Sequence, residues 1–304
     1  MASGVATSLP DPTTSPARTA RSGTSVRRAS RREVTGRDAT RTADADLAEL
    51  AALTFDFGNT LVRVDRAALR RAVQLTAERI ADRLAIDRDV FLAGWAEERD
   101  RQFAEEVPEF REVDLEQRSV RVLARLRGMQ PPDRSVRWDD SAAGTYSTVA
   151  ERSMLVDAYS DAFLESIPPS ASVAPLLAQL SARYRLGVLT NWPHARTVDR
   201  YLEAAGWSRY LSVVVVSQRI GTIKPRPEIF RAAEIELGQP PNAILHVGDD
   251  WAADVVGART AGWHAAYLRD SQGDTPLPVS EPDRSVVADL EIDRLEDLPK
   301  LLLA

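Results

Sequence analysis

The chain has 304 residues, 44% hydrophobic and 28% charged, with a net charge of -6 and a pI near 5.3. It has no cysteine, which excludes disulfides, thiolate metal sites and a cysteine nucleophile. The acidic balance argues against nucleic acid as a partner, and no apolar run approaches the ~20 residues of a membrane helix, so neither partner is expected and a cytoplasmic location is.

Residues 1–46 are rich in Ser, Thr, Ala, Arg, Gly and Pro and poor in large apolar side chains. Such a stretch buries too little surface to offset its ordering, and it is expected to be a disordered extension. Residues 47–65 hold an apolar run, Ala51 to Phe55, that stops at Asp56 and breaks at Gly58 and Asn59. A buried strand ending in an acid and a turn places that acid at the carboxyl edge of a sheet, where open α/β folds bind ligands.

From Arg66 to Ser166 the apolar residues recur at helical spacing. The pattern predicts helices over Ala67–Leu84, Val90–Phe103, Val113–Met129 and Val149–Ile167, inserted directly after the first strand. From Ala171 strands and helices alternate. Strands are predicted at Leu186–Leu189, Leu211–Val216, Ala243–Val247 and Trp263–Leu268, and helices at Val173–Arg183, Ala195–Ala205, Pro227–Leu237 and Ala252–Ala261. Residues 285–303 read as a strand-like piece and a helix. Such alternation implies a parallel sheet with crossovers.

Four positions fall at strand ends or in loops and suit one chemistry. They are Asp56, Thr190, Lys224 (one of only two lysines, with Lys300) and Asp249, which has Asp250 beside it and Asp254 about a helical turn on. A carboxylate attacks phosphorus well when the phosphoryl charge is neutralised, and Mg²⁺ held by carboxylates does this. A hydroxyl and an ammonium supply further donors to phosphate oxygens. Asp250 also reads as the acid of a helix start. Trp192, His194 and Trp251 lie next to these positions, and packing is the simpler reading of each.

Together the four stretches resemble the haloacid dehalogenase-like (HAD) hydrolase superfamily over about residues 50 to 270. The opening motif is matched by Asp56, Phe57, Gly58, Asn59, Thr60 and Leu61. The second is matched by Thr190 with Asn191, the third by Lys224-Pro225, and the fourth by Gly248, Asp249 and Asp254. The resemblance implies a Rossmann-like, doubly wound parallel α/β core over 47–65 and 167–304, with a helical cap over 66–166. It implies Asp56 as nucleophile and Mg²⁺ ligand, with the Gly58 carbonyl and Asp249 as further ligands. Thr190, Asn191 and Lys224 would bind phosphate, and Asp254 and Asp250 would support the site. The implied reaction is hydrolysis of a small phosphorylated metabolite through an aspartyl-phosphate. Position 58 departs from the family, whose usual residue there is an acid/base Asp. Two alternatives therefore stay open: carbon–halogen or carbon–phosphorus cleavage, and a binding module without turnover. Nothing in the sequence sets an oligomeric state.

Overall fold

The apolar run ending at Asp56 becomes the middle of the sheet. In the computed structural model, which describes residues 40–41, 47–269, 274–283 and 285–303, seven strands make one sheet. They are β1 (Thr40–Arg41), β2 (Ala52–Phe55), β3 (Arg185–Thr190), β4 (Leu211–Val216), β5 (Ile244–Gly248), β6 (His264–Leu268) and β7 (Leu290–Ile292). Their order is β1-β7-β6-β5-β2-β3-β4, all parallel except β1, which pairs antiparallel with β7. Thr40 and Arg41 thus correct the expectation of disorder at those two positions. The rest of the expected extension lies outside the described residues.

Every residue of β2 is buried. Its neighbours are β3 on one side and β5 on the other, with Phe55 level with both Val188 and Val247. The chain moves outward from β2 to β3 and β4, then returns across it to β5. This is a topological switch point, and the carboxyl ends of β2, β3 and β5 meet there.

Between β2 and β3 run four long helices, α1 (Arg66–Leu84), α2 (Arg88–Glu105), α3 (Leu115–Leu126) and α4 (Val149–Ser166). Their starts follow local capping chemistry. Asp65, Asp87 and Asp114 each accept first-turn amides, and Thr148 and Glu151 form a reciprocal capping box. Asp114 sets the start of α3 two residues later than the apolar pattern suggested. Inside the insert, Glu98 is fully buried and receives Arg101, Arg121 and Arg125 at 2.9, 2.6 and 2.6 Å. A charge so buried persists only when paired this fully.

Six more helices complete the fold: α5 (Val173–Ser181), α6 (Ala195–Ala204), α7 (Ser217–Ile220), α8 (Pro227–Leu237), α9 (Gly257–Thr260) and α10 (Leu298–Leu302). Side chains alternate across the sheet. Leu53, Phe55, Val188 and Val247 face α5, α6 and α10, and this core continues into the insert. Ala52, Leu189 and Ile244 face α8 and α9. The helix expected over Ala252–Ala261 is instead a π-helical turn, Trp251–Val256, followed by the short α9. A widened turn of this kind is frequent at functional sites.

Candidate active site

Asp56 sits just past β2, Thr190 ends β3, and Asp249 follows β5. Lys224 enters from the loop between α7 and α8 and is 2% exposed. Its ammonium donates to Asp56 Oδ1 at 2.8 Å, to Asp254 Oδ1 at 2.6 Å and to the Leu189 carbonyl at 2.9 Å. These use its three donors. One carboxylate oxygen from each of Asp56, Asp249 and Asp254 lies within 4.8 Å of the others.

The turn after Asp56 is closed by local bonds. Asn59 takes the left-handed conformation, φ 57°, which a short polar side chain tolerates. Its amide donates to the Val62 carbonyl at 2.7 Å, and its Oδ1 accepts from the Val64 amide at 3.3 Å. Thr60, one residue on, donates to Asp249 Oδ1 at 3.0 Å and so ties the first motif to the fourth. Asp249 keeps its second oxygen without a donor among the described residues.

Asp254 reaches back through the π-helical turn. Its Oδ2 accepts from the Asp250 amide at 2.9 Å. Only glycine at 248 permits this: a Cβ there would stand 2.1 Å from Asp254 Oδ2. Asp250 caps the turn by accepting from Ala253 N at 2.7 Å, and it holds Ser280 through two further bonds of 2.8 Å. It therefore shapes the site by fixing loops.

Asn191 is placed differently from its expected phosphate contact. Its Nδ2 donates to the Lys224 carbonyl at 3.1 Å and its Oδ1 accepts from the Lys224 amide at 2.7 Å. The side chain is a clamp on the lysine loop. The Thr190 hydroxyl is buried and has no partner at hydrogen-bond distance among the described residues, yet it lies close enough to Asp56 to favour its ionised form. Trp192 is buried between Phe57 and Phe163, His194 bonds Thr197 at 2.8 Å, and Trp251 packs edge-on to Tyr267. All three are packing residues.

His246 was not singled out from the sequence as a site residue. It faces Thr54 across β2 and β5, with the Thr54 hydroxyl 2.8 Å from Nδ1 and Asp254 Oδ1 3.1 Å from Nε2. Burial and then Lys224 lower its pKa. The network therefore assigns a neutral ring, with Nε2–H donating to Asp254 and Nδ1 accepting from Thr54. Its position two residues before Gly248 is the only sequence signal it carries.

The carboxylates divide into two kinds. Burial opposes charge on Asp254, but Lys224 and His246 outweigh it and hold its pKa well below the usual range. Burial, with the Asp254 charge adding and Lys224 opposing, pushes Asp56 up to about 6. Burial and the charges of Asp56 and Asp254 push Asp249 up to about 8. Burial likewise opposes charge on Lys224, but Asp254 and Asp56 hold its pKa above normal. One ammonium does not neutralise three acids. The set is hard, oxygen-rich and short of positive charge, which fits a divalent cation.

Residues 50–262 match the family described as hydrolase, haloacid dehalogenase-like hydrolase. The chain belongs to this family. It is a hydrolase of the HAD superfamily. It is 32% identical over 144 residues to a glyceraldehyde 3-phosphate phosphatase of Methanopyrus kandleri, a stretch covering 47% of this chain and 60% of that one. It is 36% identical over 129 residues to a plasmid-borne phosphoglycolate phosphatase of Cupriavidus necator, covering 42% and 53%. The matches thus span about half to three-fifths of these relatives. A 2-haloacid dehalogenase of Pseudomonas syringae shares the fold, with a TM-score of 0.60 and 23% identity over 84% of this HAD hydrolase and 98% of that chain. No helix among the described residues is long and apolar enough to cross a membrane.

Proposed function

We propose that this HAD hydrolase is a Mg²⁺-dependent phosphohydrolase acting on a small phosphorylated metabolite. The observation that carries the reading is the convergence of Asp56, Asp249 and Asp254 around one buried lysine, beside a threonine hydroxyl with no partner among the described residues. The phosphatase names of the two relatives support the substrate class.

Asp56 attacks phosphorus, and the leaving oxygen departs. Lys224 keeps Asp56 ionised and shares its charge with the phosphoryl group. The Thr190 hydroxyl donates to a phosphoryl oxygen, which gives that buried group a partner. Asp254 and His246 hold the lysine in place. Water then attacks the aspartyl-phosphate, the bond to Asp56 breaks, and the carboxylate is restored. Asp56, Asp249 and the Gly58 carbonyl would hold the cation, which supplies positive charge to the phosphoryl oxygens when bound.

In this reading the insert over residues 66–166 acts as a cap on the core of 47–65 and 167–304. It touches the site loops directly. The Leu115 amide donates to the Pro193 carbonyl at 2.8 Å, and the Ile223 amide donates to the Phe110 carbonyl at 3.2 Å. Closure there excludes water and presents side chains to the leaving group.

The experiment is phosphate release from a panel of phosphate compounds, with and without Mg²⁺, in the wild type and in Asp56→Asn. Release should require both the metal and Asp56. Persistence in the variant would remove Asp56 from the mechanism. Carbon–halogen cleavage is the second reading, favoured by the absence of a carboxylate at position 58. It predicts metal-independent turnover of 2-haloacids.

A further inference from the structure

Position 58 has no side chain, and a neighbour fills the space. A Cβ built on Gly58 would lie 2.6 Å from Leu277 Cδ1 and 3.1 Å from Trp192 Cζ3. Leu277 belongs to residues 274–283, which cross the carboxyl edge and are tied to both acidic motifs. Asp274 takes the Arg66 amide at 2.9 Å on its carbonyl and pairs its carboxylate with the Arg66 side chain at 2.7 Å. Thr275 Oγ1 accepts from Asn59 Nδ2 at 2.9 Å and donates to the Val64 carbonyl at 3.1 Å. Ser280 is held by Asp250 at 2.8 Å. The leucine is therefore fixed in position by the same turns that present Asp56 and Asp249.

This wall has a chemical consequence. A leucine methyl and an indole edge exchange no proton with a leaving oxygen. The neighbouring acids are committed elsewhere. Asp254 is filled by Lys224, His246 and the Asp250 amide, while Asp56 is the attacking group and Asp249 a metal donor. Glu112 of the insert is an acid linked to the Trp192 backbone through Ser217. It accepts from the Val113 amide at 2.8 Å and from the Ser217 hydroxyl, which in turn accepts from the Trp192 amide at 2.9 Å.

We infer that the site takes phosphoryl donors whose leaving group departs as a stable anion without receiving a proton, namely acyl phosphates and acidic aryl or enol phosphates, in preference to alkyl phosphates. This rests on the phosphoryl-transfer reading above. In the first step an Asp56 oxygen bonds to phosphorus as the bond to the leaving oxygen breaks, and the carboxylate or aryl oxide leaves with the electron pair. In the second step water bonds to phosphorus, the Asp56 carboxylate leaves, and the water protons pass to the phosphate released. No other reactant is needed. Leu277 is the positioning residue, because it makes glycine necessary at 58.

The test measures kcat/KM with Mg²⁺ for acetyl phosphate, for aryl phosphates whose phenols span a range of acidity, and for an alkyl phosphate. The wild type, Gly58→Asp/Leu277→Ala and Glu112→Gln are compared, and intact mass reports any phosphoryl adduct formed from acetyl phosphate. The wild type should show a steep dependence on leaving-group acidity. A general acid is typically worth ~10²–10⁴-fold, so the double variant should lower the aryl-to-alkyl ratio by about 10²-fold or more. A shallow dependence in the wild type overturns the inference while leaving phosphoryl transfer standing. A shallow dependence that steepens in Glu112→Gln also overturns it and names Glu112 as the donor. Neither adduct nor release from any donor, acetyl phosphate included, overturns both readings. The wild-type slope decides even if the double variant fails to fold.

Discussion

Replacing Lys224 with methionine removes the only cation among the described residues that lies between the three carboxylates, and the size of the effect follows from the contacts. The side chain is 1% exposed, so water does not take over its role. Three bonds disappear: those to Asp56 at 2.8 Å, Asp254 at 2.6 Å and the Leu189 carbonyl at 2.9 Å. Removing one partner of a buried ion pair costs about 3–5 kcal/mol. Asp56 softens the loss. With its pKa at about 6, taking up a proton at pH 7 costs about 1.4 kcal/mol even before the lysine is removed, and less after. The unpaired charge is then chiefly Asp254, and the expected loss is about 3 kcal/mol. At roughly 2–4 °C per kcal/mol, this lowers Tm by about 6–12 °C. The sign with pH is fixed: without the lysine, each acid costs more when ionised, so the deficit grows from pH 5 to pH 8. Thermal melts in EDTA at both pH values, repeated with Mg²⁺, measure it. The cation should raise Tm more in the variant than in the wild type. Equal melting of variant and wild type in EDTA at pH 8 would refute the claim that Lys224 holds these acids together.

Two further expectations use the same reasoning. Burial raises Glu112 from 4.5 to about 7, so the folded state binds its proton more tightly than the unfolded state, and stability falls as pH rises through that window by up to about 3 kcal/mol. Glu112→Gln keeps an acceptor for Ser217 but cannot ionise, so denaturant titrations should find it close to the wild type at pH 4 and more stable at pH 8; parallel curves would show that Glu112 does not titrate in this way. Gly248→Ala sets a methyl 2.1 Å from Asp254 Oδ2, which displaces that carboxylate from Lys224. It should cost about 1–3 kcal/mol of stability and lower phosphate release and Mg²⁺ affinity together, as read by melting and metal titration.

The proposed phosphoryl transfer and the proposed leaving-group preference rest on distinct parts of the molecule. The first depends on Asp56, Lys224 and Asp249, which two strands and one loop deliver to the sheet edge. The second depends on the contact between Gly58 and Leu277, which the motifs do not contain. A chain with the same four motifs and a different segment at 274–283 would keep the first without the second.

Local chemistry made much of this legible in the sequence. Strands and helices followed apolar periodicity because burial favours one face of each element, and Pro227–Leu237 and Leu211–Val216 begin and end where the pattern placed them. The acids and Lys224 were readable because strand ends in a parallel α/β sheet converge on one edge, whatever the loops between them. The family followed from four such stretches in order. The sequence did not show the work of groups whose partners are distant in the chain. The Asn191 amide turned from phosphate to the Lys224 backbone, and His246 became part of the site through Thr54 and Asp254. The Asp254 carboxylate doubled back through a π-helical turn that helical spacing does not encode. Leu277 carried no local signal, since an apolar residue in a polar loop has no period, and only the crossing of residues 274–283 over the sheet edge set it against Gly58. Composition and spacing therefore determined which groups reach the edge. Packing between segments more than 200 residues apart decided which of them is free to act.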